Sequence, residues 1–399
     1  MICHLFNLFF FYLSGSAPAP IQTSPAAAIH GPNKVKRLFR RHSSMRVCPD
    51  ENPASLEPSA AGAGLSCSSL TEPKPSTSNP SSPSNTDNKN PVFLFNGILS
   101  PVPLPHTPEA DEGFITVTQL YNGMNDGQHC PYMFDPTYML IIDTRTKEDY
   151  LMKHIVTARL VSELNEPMKI EPVQAYTMVI LYDHKGLSHK IKDSTLRQTA
   201  KQLQAQGVEP FILVGGFEGF AKDHCYLCTH KVPRCEAERQ QLIIPYPSII
   251  LEKQLYLGRG DQATCNHIIT NLQITHIVNV TRDHRLAFPK RIKYLQISLD
   301  DDMSANLLPE FPAAVKFIMS GISEGGRVLV HCNLGISRSS TVVIAFLMYT
   351  RRWILRDARQ FLKERRPIIH PNNTFYMQLS KFEEMLFGKK FTNIKELSI

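Results

Sequence analysis

The sequence predicts an α/β protein, two α/β domains that follow a long low-complexity N-terminal region. Three observations predict it. From about Gly113 onward, short apolar runs alternate with stretches of helical spacing, the pattern of strands in a parallel sheet joined by crossover helices. Before that point Ser, Pro, Ala, Asn and Thr dominate. Between the two patterned regions lies a stretch rich in Cys, His and Pro, Cys225 to Pro247, which reads as a linker.

The chain has 399 residues, of which 42% are hydrophobic, enough for at least one substantial buried core. Charged residues make up 20% and the net charge is +7, so composition does not point to nucleic acid as a main partner. The nine cysteines are odd in number and unevenly scattered, as in a reduced intracellular protein rather than a disulfide scaffold. A thiol nucleophile is chemically available in such a setting.

The opening Ile2 to Leu13 is strongly apolar. It has the length of a signal-peptide core, is too short for a bilayer span and lacks a basic leader, so an alternative start is the expected explanation and secretion is not. No other run approaches membrane-spanning length. From about Ser14 to Pro108 the chain cannot bury enough apolar surface to offset its conformational entropy, and residues 1–112 are expected to be disordered. Within them Lys34, Lys36, Arg37, Arg40, Arg41 and Arg46 form a basic run, and Arg40-Arg41-His42-Ser43 has the form of a basic kinase site. The expected reading is a solvated linker in a cytoplasmic protein; the basic run is also compatible with nucleus or mitochondrion.

The first domain, expected over 113–235, has strand candidates at Met139–Arg145, Tyr176–Tyr182 and Pro210–Val214, with a helix over Leu196–Gln206. The second, expected over 245–390, has strand candidates at Leu255–Leu257, His276–Val280 and Arg327–Val330. Its expected helices are Leu308–Ile322, Ser339–Tyr349, Leu355–Arg365 and Thr374–Phe387.

The chemistry is concentrated in the segment from Val328 to Ser340, an apolar strand, a short polar loop and an apolar helix. Phosphoryl transfer needs a nucleophile and a cradle for three oxygens. Five residues between Cys332 and Arg338, namely Asn333, Leu334, Gly335, Ile336 and Ser337, let the loop curl so that its backbone N–H groups point at one centre. There the following helix adds its positive end. Gly335 permits a tight, left-handed turn. That field favours both a bound phosphate dianion and the thiolate of Cys332. His331 helps to position the loop, and Arg338 offers a planar fork to two phosphoryl oxygens. Ser339 lies where its hydroxyl can stabilise the sulfur as it leaves. A buried cysteine, a lone arginine or a glycine turn would each by itself be ordinary; the combination on a strand-loop-helix is specific.

The segment has the H-C-x-x-G-x-x-R-S form and resembles the protein tyrosine phosphatase superfamily. The surroundings resemble its dual-specificity branch: Leu255-Tyr256-Leu257-Gly258, Ile274 to Val280, Arg366 to Asn372, and Phe375, Met377, Gln378 and Leu379. The resemblance covers about Pro245 to Gly388. It implies a general acid at Asp301 within Asp300-Asp301-Asp302, which spacing alone does not separate.

Leu140 to Asp149, His154 to Ala158 and Val214-Gly215-Gly216-Phe217 resemble a rhodanese-like domain of the kind that precedes the catalytic domain in MAP kinase phosphatases. An active rhodanese would carry cysteine after the strand ending at Tyr182; here the residue is Asp183, so sulfur transfer is not expected and the domain reads as a binding or regulatory module. The stretch Arg159 to Asn165 lacks the arginine cluster by which those phosphatases dock kinases.

His224, Cys225, Cys228, His230 and Cys235 include a Cys-x-x-Cys pair, but a second properly spaced pair is missing, so ordinary linker cysteines and no metal or other cofactor are expected. The resemblance implies a metal-independent enzyme acting on phosphotyrosine and phosphoserine or phosphothreonine, with catalytic residues Cys332, Arg338, Asp301 and Ser339. The expected partner is a phosphoprotein substrate, with a signalling kinase as one candidate, and neither nucleic acid nor a membrane span is expected. The alternative is a phosphoprotein-binding scaffold with little turnover, since some relatives are pseudophosphatases that have lost the loop cysteine. A weaker alternative is a phosphoinositide or RNA phosphatase; the uncharged Leu334 argues against it.

Overall fold

The computed structural model describes residues 113–125, 137–165 and 171–397. The apolar opening, the basic run and the disorder expected over 1–112 lie outside the described residues.

The first sheet is built as alternation requires. β1 (Phe114–Ile115) leads into α1 (Val117–Met124), whose start is fixed by a capping box: Thr116 accepts from the Gln119 amide and the Gln119 side chain accepts from the Thr116 amide. β2 (Met139–Asp143) is buried on both faces, as a central parallel strand must be. It is followed by α2 (Lys147–Met152), β3 (His154–Ile155), β4 (Arg159–Leu160), β5 (Met178–Tyr182), α3 (Thr195–Ala205), β6 (Phe211–Leu213) and α4 (Gly216–His224). The strand order is β1-β6-β5-β2-β4, all parallel.

Cys225 to Pro247 is not a plain linker. β7 (Cys228–Thr229) pairs antiparallel with β3, α5 spans Glu236–Gln241, and Leu227 and Tyr246 are buried. A few apolar anchors hold the stretch against both domains: Leu227 and Tyr246 lie in one apolar cluster with Leu120 of the first domain and Ile249 of the second.

The second sheet has the order β11-β10-β12-β9-β8. β8 (Ser248–Leu251) runs antiparallel to β9 (Leu255–Arg259), and the other pairs are parallel. After β9 come α6 (Gly260–Thr264), α7 (Asn266–Asn271), β10 (His276–Asn279), β11 (Lys293–Gln296), α8 (Phe311–Ser323), β12 (Val328–Cys332), α9 (Arg338–Arg351), α10 (Leu355–Arg365) and α11 (Asn373–Phe387). The central helix α9 is buried from Arg338 through Met348, so the loop between Cys332 and Arg338 leads straight into the core.

The two domains share a core. Leu120, Tyr121 and Met124 on α1 belong to the same apolar cluster as Tyr246, Ile249 and Tyr256. α1 therefore lies against β8, the edge strand of the second sheet. Among the described residues no helix is long and apolar enough to cross a membrane.

Candidate active site

β12 delivers Cys332 to the carboxyl edge of the sheet, where parallel strands present their ligands. Cys332 is 2% exposed. Its Sγ accepts from the Gly335 amide at 3.3 Å and from the Ser339 hydroxyl at 3.1 Å. Gly335 has φ +69°, and a Cβ there would run into the Gly258 carbonyl and the Arg366 guanidinium, so both the turn and the packing require glycine.

The loop carbonyls are held outward by groups outside the loop. Asn333 O accepts from the Gly260 amide at 3.2 Å, Leu334 O from Arg366 Nη2 at 3.2 Å, Gly335 O from Arg366 Nε at 2.8 Å, and Ile336 O from the His370 amide at 2.9 Å. With those acceptors anchored on the outside, the peptide N–H groups are free to turn toward Cys332. The α9 N-terminus opens on the same centre.

Arg338 is buried at the start of α9. Nη1 donates to Leu299 O at 2.8 Å, while Nε makes no hydrogen bond and lies 3.6 Å from Asp301 Oδ2. Asp301 Oδ1 accepts from the Ser337 hydroxyl at 2.8 Å and from Asn372 Nδ2 at 3.0 Å. Its two neighbours face elsewhere: Asp300 pairs with Arg282 at 3.1 Å, and Asp302 accepts from the amide and hydroxyl of Ser304. The structure thus brings Asp301 together with Ser337 and Arg338, which sequence spacing leaves undecided.

The remaining loop residues divide by role. His331 is buried beside His284, with Nδ1 3.4 Å from Cys332 O. Burial pushes its pKa down to about 4, so it is neutral at pH 7 and brings no charge to the loop. Asn333 Nδ2 donates to Asp283 Oδ2 at 2.7 Å. The Leu334 side chain is exposed at the mouth, and the Ser337 hydroxyl, besides donating to Asp301, accepts from the Asn372 amide. Residue-by-residue reading missed Arg366, His370, Gly260 and Asn372. The first, second and last lie in the Arg366 to Asn372 segment that carries the family resemblance, but nothing in its pattern says what they touch.

In the first domain Asp183 follows β5 and occupies the loop it heads. Its carboxylate accepts from the amides of Lys185 (2.9 Å), Ser188 (2.8 Å) and Gly186. Burial opposes its ionisation, but donation from Ser188, Gly186 and Lys185 prevails and holds it below the usual carboxylate range. Beside it, buried Asp143 is clamped by Arg145 at 2.7 Å and by the Tyr182 hydroxyl at 2.6 Å. Among the described residues no three His, Cys, Asp or Glu side chains converge as a metal site. The Cys228 thiol is pushed up to about 12 by burial.

Comparison with known proteins agrees with both halves. Residues 255–385 match the family model for the dual specificity phosphatase catalytic domain, and residues 116–223 match the rhodanese-like domain. "Dual specificity protein phosphatase 1-A" of Xenopus laevis is 32% identical over 272 residues, covering 62% of this chain and 72% of that protein. The chain belongs to the dual-specificity phosphatase family. A "Probable rhodanese domain-containing dual specificity protein phosphatase" of Dictyostelium discoideum is 36% identical over 46% of this chain, and the human "Dual specificity protein phosphatase 1" is 33% identical over 54%. The matched regions span 39% and 64% of those two relatives, less than two thirds of either. Among solved structures, the human tyrosine phosphatase-like serine/threonine/tyrosine-interacting protein is 33% identical over 35% of this chain and 97% of that chain, with a TM-score of 0.34. This dual-specificity phosphatase keeps a cysteine, Cys332, at the head of its loop.

Proposed function

We propose that this chain hydrolyses phosphotyrosine and phosphoserine or phosphothreonine on proteins through a phosphocysteine intermediate, regulating a signalling pathway. The observation that carries this reading is the gathering of Cys332, Ser339, Arg338 and Asp301 around one loop whose Asn333, Leu334, Gly335 and Ile336 carbonyls are held by groups outside it. The Cys332 thiolate attacks phosphorus, and the bond to the leaving oxygen breaks as Asp301 gives that oxygen its proton. Water then attacks phosphocysteine, Asp301 takes a proton from it, and the sulfur departs as thiolate with the Ser339 hydroxyl hydrogen-bonded to it. Arg338 turns its Nε edge from Asp301 to the equatorial oxygens, where charge is highest.

The first domain is catalytically inert in sulfur transfer on this reading: Asp183 is no sulfur nucleophile, and its carboxylate fills the ring of amides that would hold an anion. That leaves a binding or regulatory role, with a phosphoprotein or its kinase as partner. It also motivates the second reading, a phosphoprotein-binding scaffold, in which the Asp301–Arg338 contact keeps the acid from substrate.

The test is steady-state hydrolysis of a small aryl phosphate by the full chain, with Cys332→Ser and Arg338→Lys beside it. Turnover that vanishes in the first, falls by roughly 10³ to 10⁵ in the second as for other arginine clamps, and is indifferent to chelator supports the enzyme. A folded chain that binds phosphopeptide without turnover overturns it in favour of the scaffold.

A further inference from the structure

Arg366 is 2% exposed, and its guanidinium reaches the backbone of the loop that carries Cys332. Its guanidinium spends Nε on Gly335 O at 2.8 Å and Nη2 on Leu334 O at 3.2 Å, the two carbonyls at the crest of the phosphate loop. Nη1 reaches the other way, to Ser248 Oγ at 3.0 Å. A planar fork can hold two adjacent carbonyls and a third acceptor at once; an ammonium cannot reproduce that geometry.

Ser248 is 1% exposed and begins β8, the edge strand of the phosphatase sheet. An edge strand has one row of backbone groups without a strand partner. Here α1 of the rhodanese-like domain covers it. Asn122 Nδ2 donates to Ile249 O at 2.9 Å and Asn122 Oδ1 accepts from the Ile249 amide at 2.8 Å, so one side-chain amide replaces a missing strand. Tyr121 donates its hydroxyl to Pro247 O at 2.9 Å, and Asn125 Oδ1 accepts from the Tyr246 amide at 2.7 Å. The backbone on either side of Ser248 is therefore gripped by one helix from the other domain.

We propose that α1 of the rhodanese-like domain holds the phosphate loop in its phosphate-binding shape through a relay, Asn122 to the Ile249–Ser248 backbone, Ser248 to Arg366, and Arg366 to the carbonyls of Leu334 and Gly335. Arg366 and Ser248 are positioning residues: they act on the phosphate through the loop. The rhodanese-like domain is then a structural part of the phosphate site as well as any partner-binding module. This inference rests on the reading that the loop binds phosphate, but not on turnover.

The experiment titrates inorganic phosphate into the full chain by calorimetry, with melting temperature measured alongside and aryl phosphate hydrolysis as a separate readout. Ser248→Ala removes one hydrogen bond to a charged group, and the phosphate dissociation constant should rise about tenfold. Arg366→Lys should raise it further, and Asn122→Ala by several-fold. Because the three act in series, Ser248→Ala combined with Asn122→Ala should cost less than the product of the single effects. Folded Ser248→Ala and Asn122→Ala proteins with unchanged phosphate affinity, whatever their melting temperatures, would overturn the relay; so would a wild-type chain that binds no phosphate. A wild-type chain that binds phosphate without hydrolysing aryl phosphate overturns the proposed activity alone, and the titration still decides the relay. Should Arg366→Lys fail to fold, the two milder variants carry the test.

Discussion

The Ser339 hydroxyl, in the first turn of the helix that follows the loop, donates to Cys332 Sγ at 3.1 Å. The bond is of most value when the sulfur carries full charge, as it does on leaving phosphorus. Ser339→Ala should therefore slow breakdown of the phosphocysteine more than its formation. The expected result is a fall of about ten- to a hundredfold in kcat, from a charge-assisted bond of about 1.5–3 kcal/mol, with KM falling too and a burst of aryl alcohol in the first turnover. Rapid-quench kinetics would check it; a loss of kcat without a burst places the effect on the first step.

Asp301 shares Ser337 and Arg338 with the loop, whereas Asp300 and Asp302 are engaged by Arg282 and Ser304. Asp301→Asn should lower kcat by roughly 10² to 10⁴, the usual range for removing a general acid. The loss should be largest for a phenyl phosphate and smallest for an aryl phosphate whose leaving oxygen needs no proton. Asp300→Asn and Asp302→Asn should stay close to wild type. A series of leaving groups measured on all three variants tests this, and an equal loss in the three would remove Asp301 from the role.

What the sequence made legible follows from where physical signals are local. Leu140, Ile141 and Ile142 form a continuous apolar run, and a run of that kind is a buried parallel strand; α10 keeps its apolar spacing from Leu355 to Leu362. Cys332 and Arg338 share one loop, so their spacing carries the geometry. Asp301 owes its place to contacts with Ser337 and Asn372, which are 36 and 71 residues away, and no local pattern encodes those. Arg366 reads as an ordinary basic residue after a helix until Gly335 and Ser248 are brought to it. The Cys, His and Pro content of the Cys225 to Pro247 stretch reads as a linker, but its buried Leu227 and Tyr246 meet residues more than twenty positions away, and no local pattern encodes that.

Asp183 makes a carboxylate-filled loop whose worth can be measured. With its ionisation favoured in the folded protein, it contributes stability above the unfolded carboxyl range, and that contribution is lost as pH falls through the folded value. Asp183→Asn keeps one acceptor oxygen but not the charge, and should cost about 1–3 kcal/mol at pH 7. Urea denaturation at pH 7 and near pH 3 is the check: the gap between wild type and variant should narrow in acid. A gap that stays constant would mean the loop amides are content with a neutral acceptor.

Acid sensitivity at milder pH has a different source. His224, packed between Tyr121 and Tyr226 beneath the domain junction, and His331 near the end of β12 are each pushed down by burial to about 4 from an ordinary 6.5. Above 6.5 both are neutral in folded and unfolded chains and the fold has its full stability. Between about 6.5 and 4 the unfolded chain takes up protons that the folded chain refuses, so unfolding becomes easier as pH falls, by up to about 1.4 kcal/mol per pH unit for each histidine. His154 and His276 are lowered by burial as well and add to the same trend. Unfolding free energy measured from pH 7.5 to 5 should therefore slope downward above the range where carboxylates titrate. His224→Phe should start lower at pH 7.5, having lost the Tyr226 contact at 3.1 Å, but follow a shallower slope. Parallel slopes for the two proteins would show that His224 takes up its proton in the folded state, and that the junction tolerates a charge there.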